Sequence, residues 1–195
     1  MSVPDPAEPP RSLQPNPAGD WPQVAPTAFV HPSAQLIGNI HIGPRVLVGP
    51  NAVLRADEPG PGGNVEPIEV AEDCNVQDCA VLHALGGTAV RIGPRTSISH
   101  AATVHGPCTI GADSFIGFRA VVFDAQIGDG VFVAHGGIVC HTRIASGRRV
   151  PEGGCAVSAE QAEALPAASP ADQSLMATIV RTNLALAAGY ARQRQ

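Results

Sequence analysis

Three of the seven histidines, His83, His100 and His105, fall within one short stretch of the chain. A neutral imidazole is the commonest protein ligand for a transition metal. Three of them with a fourth position left open make a catalytic zinc site, not a structural one. Such an ion brings the pKa of its bound water to about 7, so a hydroxide nucleophile exists at neutral pH. Whether the three side chains can converge depends on the elements that carry them.

Those elements show a period of six. Aliphatic residues recur at Val30, Leu36, Ile42, Val48 and Leu54, then at Val70, Val76 and Leu82. The series resumes at Ile92, Ile98, Val104, Ile110, Ile116 and Val122, then Ile127, Val133, Val139, Ile144 and Val150. Six matches neither a helix nor a plain strand. It matches a triangular coil in which each side is a short strand with one aliphatic pointing inward. Three hexads close a turn of about eighteen residues, and each turn buries its apolar row only by stacking on the next. This resembles the hexapeptide-repeat left-handed parallel β-helix, an all-β solenoid and an exception to the right-handed rule for parallel crossovers.

The period predicts a face for each aliphatic. Val30, Val48, Val70, Ile92 and Ile110 fall on one face; Leu36, Leu54, Val76, Ile98 and Ile116 on a second; Ile42, Leu82, Val104 and Val122 on the third. Two loops interrupt the count, one from Ala56 to Glu69 that takes the place of a strand, the other from Ala84 to Val90. His83 and His105 each follow an aliphatic of the third face one turn apart, so they stack at about one strand spacing, ~4.8 Å. His100 lies two residues after Ile98 and points elsewhere. His83 and His105 can chelate one ion; His100 of the same copy cannot easily join them, whereas His100 of a neighbouring copy can.

Several strings carry a family resemblance: Leu54-Arg-Ala-Asp-Glu58, Asn75-Val-Gln-Asp78, Val81-Leu-His83, Ser99-His100-Ala-Ala-Thr-Val-His105-Gly-Pro107 and Phe115-Ile-Gly-Phe-Arg119. They resemble the γ-class carbonic anhydrases over Pro26 to Tyr190, most of all the anhydrase-like N-terminal domain of the β-carboxysome scaffold protein. The resemblance implies reversible hydration of CO2 to bicarbonate in a homotrimer. It makes His83, His100 and His105 the ligands of Zn2+, with Fe2+ or Co2+ as substitutes. Gln77 then hydrogen-bonds the attacking water with Asn75 nearby. Arg55 pairs with Asp57 and, across the interface, with Asp78. Glu58 carries protons, and Asn183 reaches the site from a C-terminal helix. His31, His41, His135 and His141 are read as surface or packing residues.

Two departures bear on turnover. Gly86 stands where the archaeal prototype has a proton-shuttling glutamate, leaving Glu58 or water for that work. The last cysteine is Cys155, so the redox-sensitive terminal pair of the carboxysomal relative has no counterpart, nor do its Rubisco-small-subunit-like repeats. Activity is therefore expected to be limited by proton transfer and indifferent to mild reductant.

The remaining sequence divides simply. Residues 1–27 hold eight prolines and are expected to be a tail, with docking of a protein partner as one use. Residues 28–165 form the β-helix domain. In 166–195, Ser169-Pro170 reads as a cap and first helical residue. Leu175, Ile179, Asn183, Leu186 and Tyr190 then make a stripe that lays a helix of about 170–192 alongside the coil. A net charge of −5 without a basic run argues against nucleic acid or anionic membrane as partner. No signal layout and no long apolar stretch is present, which predicts a cytoplasmic protein, or one within a carboxysome. Five unpaired cysteines are expected to be reduced and mostly buried. Two other classes share this fold: a scaffold or assembly subunit with weak or no turnover, and a hexapeptide acyltransferase.

Overall fold

A computed structural model describes residues 12–193. The chain is a left-handed parallel β-helix of about seven turns with a helix along its side. The inward aliphatics form three ladders. One runs Leu36, Leu54, Leu82, Val104, Val122 and Val139. A second runs Val24, Ile42, Val70, Ile92, Ile110, Ile127 and Ile144. The third runs Val30, Val48, Val76, Ile98, Ile116, Val133 and Val150. Nearly all are fully buried and make one continuous core.

The corners explain the rest of the hexad. Ten non-glycine residues there, among them Arg45, Asp73, Arg95 and Asp113, adopt φ between 47° and 62°. This left-handed conformation costs an L-residue about 1–2 kcal/mol. Bonds from each turn to the next offset the cost, as where Asp73 donates its N–H to Pro44 O. Arg45–Asp73 and Arg95–Asp113 pairs run along the same corner at 2.6 Å.

The face assignment needs one correction. From Val70 onward the predicted groups hold, but the first two turns are displaced by one face. The excursion after Ala56 does not replace a strand. It leaves the corner after the Val53–Ala56 strand and re-enters at Ile68–Val70, so no face is skipped. Gly60 N–H to Asn64 O and Asn39 Nδ2 to Val65 O stitch it closed. Arg55 consequently lies beside His83 in the ladder.

The coil also starts earlier than the proline content predicts. Leu13–Gln14 pairs with Leu36–Ile37, and Gln23–Val24 with His41–Ile42. Two-residue strands fit between the prolines, which occupy positions that need no ladder donor. Asn16, bonded to Asp20 and to Ala56 O, ties this first turn down. Residues 1–11, the rest of the expected tail and docking segment, lie outside the described residues.

Helix α1, Ala159–Glu163, closes the far end, capped by Ser158, whose Oγ accepts from Gln161 N–H. Helix α2, Pro170–Gln193, begins where the sequence places it. Ser169 Oγ accepts from Asp172 N–H at 3.1 Å, and Asp172 Oδ2 accepts from Ser169 N–H at 2.8 Å. This reciprocal capping box satisfies two otherwise orphaned donors. The buried stripe is rotated from the expected one: Met176 and Ala187 are buried, while Leu175 and Leu186 are exposed. Small residues let α2 sit closely on Phe29, Leu47, Phe115 and Phe132, the outward side of the third ladder. Of the cysteines, only Cys74 and Cys108 are buried; Cys140 is half-buried, Cys79 and Cys155 are exposed, and all five are free.

Candidate metal centre

The expected site residues separate into two groups on different edges of the prism. The first follows one ladder, in which Arg55, His83, His105 and Phe123 are successive neighbours. His83 Nδ1 and His105 Nε2 lie 2.9 Å apart. Two nitrogens bound to one tetrahedral zinc would be about 3.3 Å apart, so a small adjustment fits the pair to an ion. His105 Nδ1 is 3.0 Å from Gly106 O. Donation to that carbonyl leaves Nε2 unprotonated, as a ligand must be.

Around His83 the chain supplies carboxylates. Glu58 Oε1 is 3.3 Å and Asp57 Oδ1 3.7 Å from His83 Nε2. Neither makes a hydrogen bond, and Nε2 and Asp57 Oδ1 are both buried without one. Burial, with the Arg55 guanidinium nearby, holds His83 below the ordinary imidazole pKa, which favours the neutral form. Arg55 Nη1 donates to Asp57 Oδ2 at 3.0 Å. Glu58 Oε2 accepts from Gly86 N–H at 3.2 Å. A Cβ at Gly86 would come within 2.7 Å of Pro59 O, so this loop has no room for a side chain there.

The second group sits where the His83 face meets the face covered by α2. Gln77, Asp78, His100 and Asn183 line one cavity of about 400 Å³. Gln77 Nε2 donates to Asn75 Oδ1 at 2.8 Å, and Asn75 Nδ2 donates to Ser97 Oγ at 2.8 Å. Both amides are buried, and the relay fixes the Gln77 head group. His100 Nδ1 is 3.3 Å from Asp78 Oδ2. Gly49 makes room for Asp78, since a Cβ there would lie 2.7 Å from its Oδ1. Asn183 Nδ2 donates back to Ile179 O at 2.9 Å, yet the side chain faces the same cavity.

Thus His100 is apart from His83 and His105, and Asp78 from Arg55. Among the described residues no group of three or more His, Cys, Asp or Glu side chains is arranged to hold a metal ion. Sequence reasoning missed Ser97, which anchors the amide relay, and the phenylalanines beside the candidate ligands. Phe123 was findable: it occupies the slot of His83 and His105 one turn on.

Fold and site together define a hexapeptide-repeat β-helix of the anhydrase-like kind. The chain belongs to the γ-class carbonic anhydrase family. It is 34% identical over 196 residues to the carbonic anhydrase of Methanosarcina thermophila, covering 90% of this chain and 77% of that one. It is 35% identical over 178 residues to the carboxysome assembly protein CcmM of a Nostoc species, covering 86% of this chain but 31% of the relative. CcmM of a Synechocystis species is 36% identical, and the match spans 24% of its length. A solved hexapeptide transferase family protein from Anaplasma phagocytophilum superposes with a TM-score of 0.76 at 26% identity, covering 92% of this chain and 98% of that one. No protein-family model matches the chain.

Proposed function

We propose that this protein is a zinc-dependent carbonic anhydrase that converts CO2 and water reversibly to bicarbonate and a proton, at sites shared between the subunits of a homotrimer. The observation that carries the reading is the pair of half-sites: two imidazole nitrogens converge within 2.9 Å on one edge. A third imidazole stands on another edge beside Gln77 and Asn183. His83 and His105 of one subunit and His100 of the next hold the metal, and Fe2+ or Co2+ suits the same nitrogen set. When bound, zinc supplies Lewis acidity and a water acidic enough to act as nucleophile at neutral pH.

The chain's own groups do the rest. Gln77, its amide nitrogen already committed to Asn75, offers its carbonyl oxygen to orient the attacking water. Asn183 contributes a second amide on the same wall. Glu58, between His83 Nε2 and the partly open loop, takes the proton released on hydration and passes it to buffer. Arg55, held by Asp57, reaches Asp78 of the neighbouring subunit and fixes the edge that brings His100 in.

Zinc content and stopped-flow CO2 hydration test the reading. About one zinc per chain with turnover supports it. Identity to the CcmM proteins favours a second reading, an assembly subunit with weak or no turnover in a carboxysome. Zinc-loaded protein that hydrates no CO2 at any buffer concentration would establish that alternative. Metal-free protein active on an acyl donor would instead point to the transferase chemistry named for the solved neighbour.

A further inference from the structure

Each edge that carries a candidate ligand continues into the same unit one turn on. His100 lies against Phe118, with ring centroids 5.1 Å apart. Phe118 stacks on His135 at 4.2 Å and 14°, and His135 Nδ1 accepts the Phe118 backbone N–H at 3.0 Å. On the other edge, His105 lies 5.2 Å from Phe123. Phe123 meets His141 edge-on at 5.1 Å, and His141 Nδ1 is 2.9 Å from Asp124 Oδ2. Phe118 is 44% exposed.

Symmetry says what these rings meet. A closed ring of copies is generated by rotation without translation along its axis, so neighbours related this way with parallel coils meet turn for turn. His100 and His105 belong to one turn. Phe118 and Phe123 belong to the next, because Phe118 follows His100 along its corner and Phe123 follows His105 in its ladder.

We infer that Phe118 of one subunit and Phe123 of its neighbour close together beneath the three imidazoles. They form an apolar floor for CO2, with His135 and His141 acting as positioning residues that hold the two rings. This rests on the shared-site reading above. An apolar, uncharged substrate gains from an apolar surface beside the polar Gln77 wall. A floor of two rings also keeps water out from below, where extra ligands could enter.

The test is a full-length chain with the accessible Cys79, Cys140 and Cys155 replaced by serine and carrying both Phe118→Cys and Phe123→Cys, treated with a short bismaleimide that spans the gap left by the rings. Covalent dimers and trimers should appear for the double variant and stay at the background of the serine-substituted parent for each single variant. Light scattering and zinc content are read on the same samples. A zinc-loaded trimer without cross-links overturns the floor and leaves the shared site standing; a monomer overturns both. A cross-link already given by Phe118→Cys alone overturns the pairing with Phe123. For the positioning role, Co2+-loaded Phe118→Ala and His135→Ala should lose visible absorption as water enters, while Phe118→Leu retains it. KM for CO2 should rise in both alanine variants with kcat less affected. Unchanged cobalt spectra and KM would overturn that role.

Discussion

Single residues carry most of the chemistry, and their settings differ enough to predict. Burial pushes the Cys74 and Cys108 thiols up to about 12. At pH 8 only about one such thiol in ten thousand is then ionised, and the thiolate is the reactive form. Native protein given maleimide at pH 8 should therefore leave these two unlabelled in peptide mass analysis, with full labelling only after unfolding. Glu58 is the opposite case, half-exposed and within 3.3 Å of His83 Nε2. Positioned acid–base groups speed proton transfer by about 10²–10⁴-fold. Glu58→Ala should lower CO2 turnover at low buffer by about tenfold or more, with imidazole partly restoring it; an unchanged buffer dependence would remove Glu58 from the path. Glu58 and Asn75 were singled out by motif strings. Their partners were not, because Ser97 under Asn75 and Gly86 N–H on Glu58 depend on which turns lie adjacent and how a loop folds back.

At the scale of elements, the six-residue period was readable because each aliphatic answers to one buried slot. The register before the first loop was not. Glycine and proline between Ala56 and Glu69 mark an excursion but do not say whether it consumes a side of the triangle; only the pairing of Arg55 with His83 decides that. The α2 stripe slipped for a related reason. Hydrophobicity favours Leu175 and Leu186, whereas close approach over Phe115 and Phe132 favours Met176, and over Phe29 and Leu47 favours Ala187. The start of α2 was legible, since a cap is a local device. Ser169 accepts one helix donor and returns its own N–H to Asp172. Ser169→Ala should cost about 1 kcal/mol and lower Tm by about 2–4 °C for a chain of this size. A calorimetric Tm equal to wild type would show that packing alone sets this helix end.

The whole molecule sets the last demand, because neither edge is complete by itself. Among the described residues Arg55 forms its ion pair with Asp57, and its side chain is 42% exposed. If it also bridges to Asp78 of a neighbour, Arg55→Ala should shift the trimer toward monomer in sedimentation at micromolar concentration and release zinc with it. The decisive arrangement is that of the histidines. In a cyclic trimer every boundary joins the His83 and His105 edge of one subunit to the His100 edge of the next. A His100→Ala chain and a His83→Ala chain should each bind zinc weakly as pure trimers. Unfolded together in equal amounts and refolded, they form mixed rings in which one boundary in three joins an intact pair to an intact His100. Random mixing makes about three quarters of the rings mixed, so about one quarter of all sites should recover. Zinc content and CO2 hydration should both return to about that fraction, with neither regained when the variants are mixed without unfolding. A single-chain site would recover nothing under either protocol, because every chain in the mixture lacks one ligand.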